Sequence, residues 1–406
     1  MQAATDSGAQ RARPLKIAIP IHSLAPGGVE RVAMGLATEW DRAGHDVTIV
    51  LGRQESDALC STPPLHFWQV PTRWSPASYR SVWMIYTLYS YLLEHKVDVL
   101  FCPGNTYAVV AAAMKLMLGE HTPPMVLKVS NALNRPDMPF PMRQGYGAWL
   151  RTQGALFDRL VSLSEPMQRE IRDLTLADAD QVRVIANPIL NHRRMRALAR
   201  LERPQRSVWS MNYLAAGRLV PQKNYPLLLN AFAKAARPAD TLTIAGEGPE
   251  RAAIERLISQ LDIADRAHLT GHVASIDPLL ANADALVLSS DYEGLPGVVV
   301  EALAAGLPVL ATDCCVSMAS LLEAGRTGIL VPAGDEAAFA QGLCSLRQFE
   351  NEPARARATA ARYEVETAAA RYIDMMTDLK RQRAGENHKA VTLEMLSSRA
   401  FHSRAH

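Results

Sequence analysis

The chain has 406 residues, more than one hydrophobic core usually serves, and its 48% apolar and 21% charged residues are the balance of an ordinary globular protein of two domains. A net charge of +2 speaks against nucleic acid or a strongly acidic partner, and no apolar run reaches the ~18 residues of a membrane-spanning helix. The five cysteines (Cys60, Cys102, Cys314, Cys315 and Cys344) are odd in number and form no CxxC pair, so reduced thiols in a cytoplasmic protein are expected rather than disulfides or zinc.

Residues 1–14 lack the apolar core of a secretory signal and read as a flexible leader. From 15 to 190 short apolar runs alternate with longer amphipathic ones. Predicted strands are Lys16–Ile21, Asp46–Leu51, Asp98–Cys102, Met125–Val129, Arg159–Leu163 and Val182–Ala186, with helical spacing over Val29–Ala43 and Ser164–Thr175. Residues 191–207 (NHRRMRALARLERPQRS) are polar, basic and proline-containing, the composition of a linker with room for one short helix. The alternation then restarts over 208–365, with strands at Asn212–Ala216, Thr241–Ala245, His268–Thr270, Ala285–Leu288, Val309–Ala311 and Ile329–Val331. Pro353–Arg383 is helix-rich, its last part (366–383) a candidate for packing back on the first domain, and 384–406 reads as a flexible tail. Short buried strands separated by helices mean parallel sheets. The fold class is α/β, with two Rossmann-like, doubly wound domains facing across a cleft.

In such sheets ligands sit beyond the carboxyl ends of the strands, where this sequence places its unusual residues. After KIAIPI come His22 and then Gly27-Gly28, opening a helix. Paired glycines there let backbone N–H groups approach a phosphate, although a plain βα turn has the same look. After NYLAA comes Gly217-Arg218-Leu219-Val220-Pro221-Gln222-Lys223. A guanidinium fork and an ammonium in one loop suit a diphosphate, or are two solvated surface cations. Gly246 and Gly248 follow the next strand, and Gly271-His272 the one after, in a loop able to line a base pocket.

The segment DYEGLPGVVVEALAAG carries Glu293 and, eight residues on, Glu301. Gly294, Leu295, Pro296 and Gly297 between them predict a loop ending in a helix that begins near Val298 and holds Glu301 in its first turn. A carboxylate there would be a dipole-stabilised acceptor for two hydroxyls such as a ribose diol, or simply a helix-capping acid.

GGVERV, GRLVPQKN, IAGEGPE, GHV and above all EGLPGVVVEALAAGLPVLATD resemble the retaining glycosyltransferases of family 4, with the GT-B fold, over roughly residues 15–375. The resemblance implies a sugar transferred from a UDP- or GDP-sugar to a hydroxyl of a carbohydrate or lipid-linked acceptor. It implies retention, no metal and no cofactor beyond the donor. Arg218 and Lys223 would take the phosphates, Glu301 the ribose and Glu293 the sugar, with Gly27 and Gly28 bordering the phosphates from the other domain. Asp178-Ala179-Asp180, the one match to a metal-binding Asp-x-Asp, precedes its strand rather than following it.

Where many family members carry a histidine, this chain reads KVSNALNRP, placing Asn131, Asn134 and Arg135 near the donor sugar. An amide holds a hydroxyl but cannot shuttle a proton at neutral pH. Aromatic residues over Phe67–Leu93 and arginines over Arg135–Arg159 suit a membrane surface or a lipid-phosphate acceptor, ordinary core helices with solvated arginines, or aromatic stacking on a sugar. A sugar-nucleotide epimerase on the same fold and a non-catalytic nucleotide-sugar-binding subunit are the competing functions.

Overall fold

The computed structural model of the chain describes residues 13–24, 27–53, 64–71, 80–131, 133, 138–202 and 209–402, with side chains through residue 385. The N-terminal lobe runs β1 (Lys16–Ile21), α1 (Gly28–Arg42), β2 (Asp46–Leu51), β3 (His66–Trp68), α2 (Arg80–Glu94), β4 (Val99–Cys102), α3 (Ala108–Leu118), β5 (Met125–Lys128), α4 (Phe140–Leu156), β6 (Arg159–Ser162), α5 (Glu165–Thr175) and β7 (Val182–Val184). After α6 (His192–Ala199), the second lobe runs β8 (Asn212–Ala216), α7 (Tyr225–Ala235), β9 (Thr241–Ala245), α8 (Arg251–Gln260), β10 (Ala267–Gly271), α9 (Asp277–Asn282) and β11 (Ala285–Leu288). It continues with α10 (Gly297–Ala304), β12 (Val309–Thr312), α11 (Met318–Leu321), β13 (Gly328–Val331), α12 (Glu336–Ser345) and α13 (Pro353–Ala360), and α14 (Val365–His402) follows.

Each lobe holds one parallel sheet, seven strands in the order β3-β2-β1-β4-β5-β6-β7 and six in the order β10-β9-β8-β11-β12-β13. Strands buried on both faces need continuous apolar side chains, and ALVL (β11) and VLFC (β4) are fully buried. The strand order reverses between β1 and β4 and between β8 and β11, so each sheet opens a crevice beyond those carboxyl ends. The loops entering these crevices are the ones after β1 and β8 that carry the glycines and cations. Strand β3 escapes sequence reading: it has three residues and pairs only with β2, at the sheet edge.

The chain crosses between lobes twice, side by side. Ile189 N donates to Tyr363 O (2.9 Å) and Val365 N to Leu190 O (2.9 Å). Helix α6 lies within the predicted linker, capped by Asn191, whose Oδ1 accepts from Arg194 N at 2.8 Å. Helix α14 returns to the N-terminal lobe along α1. Trp40 Nε1 donates to Ala369 O (3.1 Å), Tyr372 meets Phe101 edge-on (5.3 Å), and Lys380 and Arg383 pair with Asp98 (2.7 Å) and Asp158 (3.1 Å). This helix continues to His402, through residues the sequence assigns to a flexible tail. Between 384 and 402 there is no proline, and Gly385 is the one strong helix breaker.

Candidate active site

Three strand-end loops of the second lobe form one hydrogen-bonded series. Gly217 N donates to Ala245 O, Gly246 N to Gly271 O, and Leu219 N to Glu247 O, each at 2.9 Å. The approach is too close for any side chain. A Cβ on Gly246 would lie 1.9 Å from Gly217 O, and one on Gly248 would lie 2.3 Å from Leu219 O. Gly217, Gly246 and Gly248 thus come together beyond β8 and β9, presenting backbone rather than side chains to the crevice. His272 follows this series but is exposed, and its side chain joins none of these contacts.

The loop after β8 is also zipped to the loop after β11. Asp291 N donates to Gln222 O (2.9 Å), Gln222 Nε2 to Tyr292 O (2.7 Å), Ser289 Oγ to Lys223 O (2.8 Å) and Asn224 Nδ2 to Asp291 Oδ1 (2.7 Å). Asn224 makes the tight turn possible: it sits in the left-handed region (φ +45°) while its side chain accepts from Leu227 N and caps α7. The zipper brings Lys223 Nζ to 2.5 Å from Glu293 Oε1, which also accepts from Ser290 Oγ at 2.9 Å. Both side chains are largely withdrawn from water (16% and 12% exposed), where a charge pair is stronger than at a surface. Arg218 stands exposed in the same loop, and its guanidinium makes no ion pair among the described residues.

Glu301 departs from its predicted setting. Helix α10 begins at Gly297, with Pro296 in extended conformation before it, so Glu301 lies beyond the first turn and receives little from the helix dipole. Its charge is met instead by two guanidinium groups, Arg31 of α1 at 3.7 Å and Arg194 of α6 at 4.0 Å. Burial pushes its pKa up, Arg31 and Arg194 pull it down, and Asp277, itself paired with Arg194, pushes it up again.

The lobes touch at the glutamate loop. A Cβ on Gly294 would lie 1.9 Å from Ser130 O and 3.1 Å from Asn131 Cα, both on the loop after β5 of the N-terminal lobe. Leu295 and Pro296 are buried behind this contact, and exposed Asn131 lies beside it. Asn134 and Arg135 lie outside the described residues. Lys128, at the end of β5, is buried, and desolvation pushes its amine down to about 7. Gly27 precedes α1 in extended conformation, and Gly28 has open space where a side chain would stand. The His22 ring stacks on Tyr107 at 4.8 Å; burial, then Arg80, lower its pKa and favour the neutral imidazole.

Sequence reading passes over Ser290, Tyr225, Arg31 and Arg194. Ser290 has no motif of its own. Tyr225 Oη donates to Gly217 O at 3.2 Å, a contact that only the fold creates. Arg31 stands inside the glycine run, and Arg194 inside the basic linker. Among the described residues, one group has metal-binding atoms close enough to share an ion: His192, Glu364 and Glu366. It sits at the lobe crossing and not beside Glu293; His192 Nδ1 pairs with Glu364 Oε1 at 2.5 Å, and Glu366 Oε1 accepts from the His192 backbone N at 3.0 Å.

Residues 26–190 match the family described as Glycosyltransferase Family 4, and residues 211–348 match Glycosyl transferases group 1. The chain is a family 4 glycosyltransferase of GT-B fold. This glycosyltransferase is 27% identical over 274 residues to an exopolysaccharide phosphotransferase of Streptomyces coelicolor, covering 66% of the chain and 28% of that protein. It is 31% identical over 130 residues to the lipopolysaccharide core biosynthesis glycosyltransferase LpsE of Rhizobium meliloti, covering 32% and 37%. The matched stretches thus span about a third of these relatives' own lengths. Among solved structures it resembles Anabaena HepE in complex with UDP and glucose (TM-score 0.69, 19% identity, 89% and 99% of the two chains). It also resembles a sucrose-phosphate synthase of Thermosynechococcus elongatus (TM-score 0.73, 17% identity, 89% and 98%). No helix among the described residues is long and apolar enough to cross a membrane.

Proposed function

We propose that this glycosyltransferase moves a hexosyl or N-acetylhexosaminyl group from a UDP- or GDP-sugar to a hydroxyl of a growing surface glycan, with retention and without a metal. The observation that carries the reading is the Lys223–Glu293 pair at 2.5 Å, held beside the glycine-lined ends of β8 and β9, with the next residue, Gly294, against Ser130 of the other lobe. Negative charge builds on the departing diphosphate as the sugar–phosphate bond breaks. Lys223, Arg218 and the backbone amides near Gly27 and Gly28 are the groups that stabilise it. Glu293, beside them, contacts the sugar and favours the cationic anomeric carbon. The acceptor hydroxyl attacks from the face the diphosphate leaves, and a phosphate oxygen takes its proton. Glu301 receives the ribose hydroxyls. HepE, with UDP and glucose bound, and LpsE, from lipopolysaccharide core assembly, favour UDP and a surface glycan.

The test is incubation with UDP- and GDP-sugars and a panel of glycans, with proton NMR of the product. An axial linkage from an axial donor is expected; an inverted linkage, or no transfer from either nucleotide, would contradict the reading.

The acceptor lobe also fits an anionic membrane surface, as a lipid-linked acceptor requires. On α2, Val82, Tyr86 and Leu93 are exposed and fall within about 40° of one another around the helix. On the neighbouring α3, Val109 and Leu116 are exposed in turn, Leu116 at 84%. Helices α2, α3 and α4 carry Arg80, Lys115, Arg143 and Arg151 against the single acid Glu94. Exposed apolar side chains on helices with an excess of cations suit the interface of an anionic bilayer. The protein is expected to sediment with vesicles containing phosphatidylglycerol but not with pure phosphatidylcholine, and Tyr86→Glu with Leu116→Glu to abolish this. Equal partition into both would count against it.

A further inference from the structure

Arg31 belongs to the N-terminal lobe, yet its guanidinium lies over the second. Its helix is fixed at home: Arg31 N donates to Gly27 O at 3.0 Å, and a Cβ on Gly104, after β4, would lie 2.9 Å from Val29 Cγ1. From this anchored turn Arg31 Nη2 reaches to 2.9 Å from the Cβ position of Gly297, where α10 begins, and Nη1 to 3.7 Å from Glu301 Oε1. Arg194, on the linker helix, approaches the same oxygen from another side at 4.0 Å while paired with Asp277 of α9. No cation of the second lobe pairs with Glu301 among the described residues. A buried carboxylate on the donor lobe is therefore neutralised entirely from outside that lobe.

We infer that Arg31 is a cross-lobe positioning residue: brought against Glu301 when the lobes meet, its guanidinium holds that carboxylate aimed and charged, ready to accept the two hydroxyls of a nucleoside diol. The inference rests on the reading of Glu301 as the ribose acceptor. A buried acid without a cation drifts toward its protonated form, which offers one donor and fewer acceptors. Arg31, Arg194 and Asp277 are the charged groups that set the balance. Burial and Asp277 favour protonation, the two arginines oppose it, and loss of Arg31 moves the titration to higher pH. An open enzyme would thus hold the nucleoside more weakly than a closed one.

The test uses the full-length protein in two measurements. Without ligand, the carboxyl of Glu301 is followed by ¹³C NMR across pH, assigned by its absence in Glu301→Gln. In Arg31→Gln its midpoint is expected to rise, and in Arg31→Lys to stay near that of the parent. With UDP and GDP as probes, calorimetry is expected to show binding weakened about tenfold in Arg31→Gln, its acid limb shifted to higher pH, and both effects largely rescued in Arg31→Lys. In a Glu301→Gln background, Arg31→Gln is expected to add less than about twofold. An unmoved carboxyl titration in Arg31→Gln, or losses that multiply in full in the double variant, would overturn the inference. If the parent bound neither nucleotide, the donor reading would fall, while the carboxyl titration would still decide whether Arg31 governs Glu301.

Discussion

Glu293→Ala is expected to lower sugar transfer by at least about 10²–10³ while leaving the protein folded. The carboxylate is the shared acceptor of Lys223 Nζ at 2.5 Å and Ser290 Oγ at 2.9 Å, and its backbone N–H bonds Cys314 O at 2.8 Å. The backbone bond survives the substitution, so the loop keeps its course. What disappears is the charge that holds the ammonium and that the proposed function sets against the sugar. Removing one preorganised electrostatic group from a catalytic site costs on the order of 10²–10³ in turnover, and here the loss of Glu293 also leaves Lys223 without its counter-charge. Glu293→Gln separates these effects. It keeps the Ser290 contact and the volume but not the charge, and it is expected to lose about as much turnover as alanine. UDP release from UDP-sugars, measured with and without acceptor, gives the rates. A Gln variant of parental rate would show that the charge at 293 has no part in the chemistry.

Gly294→Ala is the second large effect, with a different signature. The backbone of Gly294 lies outside the left-handed region, so alanine fits its conformation. The added methyl would lie 1.9 Å from Ser130 O and 2.9 Å from Ser130 C, main-chain atoms with no rotamer to escape into. Relief comes by moving one lobe away from the other. Each lobe retains its own sheet, and the strain falls on the apolar packing where the lobes meet, a cost on the order of 1–3 kcal/mol. The glutamate loop and the N-terminal lobe, however, would no longer meet in register. A shift of about 1 Å in such a site costs on the order of 100-fold. Steady-state rates, thermal unfolding and small-angle scattering check this together: a fall in kcat/KM of that order, a modestly lowered transition and a slightly expanded particle are expected. Parental activity would mean that the lobes need not touch at Gly294 during turnover.

The contrast shows what the sequence makes legible. Parallel strands buried on both faces spell themselves out as runs such as KIAIPI, TLTIA and ALVL, and strand-end glycines and cations follow them, so the two-lobed architecture can be read directly. Lys223 and Glu293 can each be singled out as site candidates because each carries unusual chemistry in a predicted loop. Their direct contact cannot, because it depends on the zipper from Gln222 to Asp291, built by ordinary residues and backbone. Glu301 shows the limit more sharply. A helix start misplaced by one residue, near Val298 instead of Gly297, assigns its charge to the helix dipole, whereas its neutralising groups come from α1 and from a linker that composition marks only as polar and basic. Contacts between lobes leave no periodic trace, so Arg31 reads as one more charge in an amphipathic helix. His66–Trp68 is lost for the opposite reason: three residues are too few to show a period.

The central claim is that cations and acids of the second lobe, completed by the first, grip a nucleotide diphosphate without a metal. The most direct measurement is calorimetric titration of UDP, and separately GDP, into the protein in the presence of a chelator, for the parent and for Arg218→Ala, Lys223→Ala and Glu301→Ala. One site per chain is expected for one of the nucleotides, undiminished by the chelator, with affinity lowered at least about tenfold in each variant. Binding that vanished with the chelator, or that none of the three substitutions changed, would contradict it.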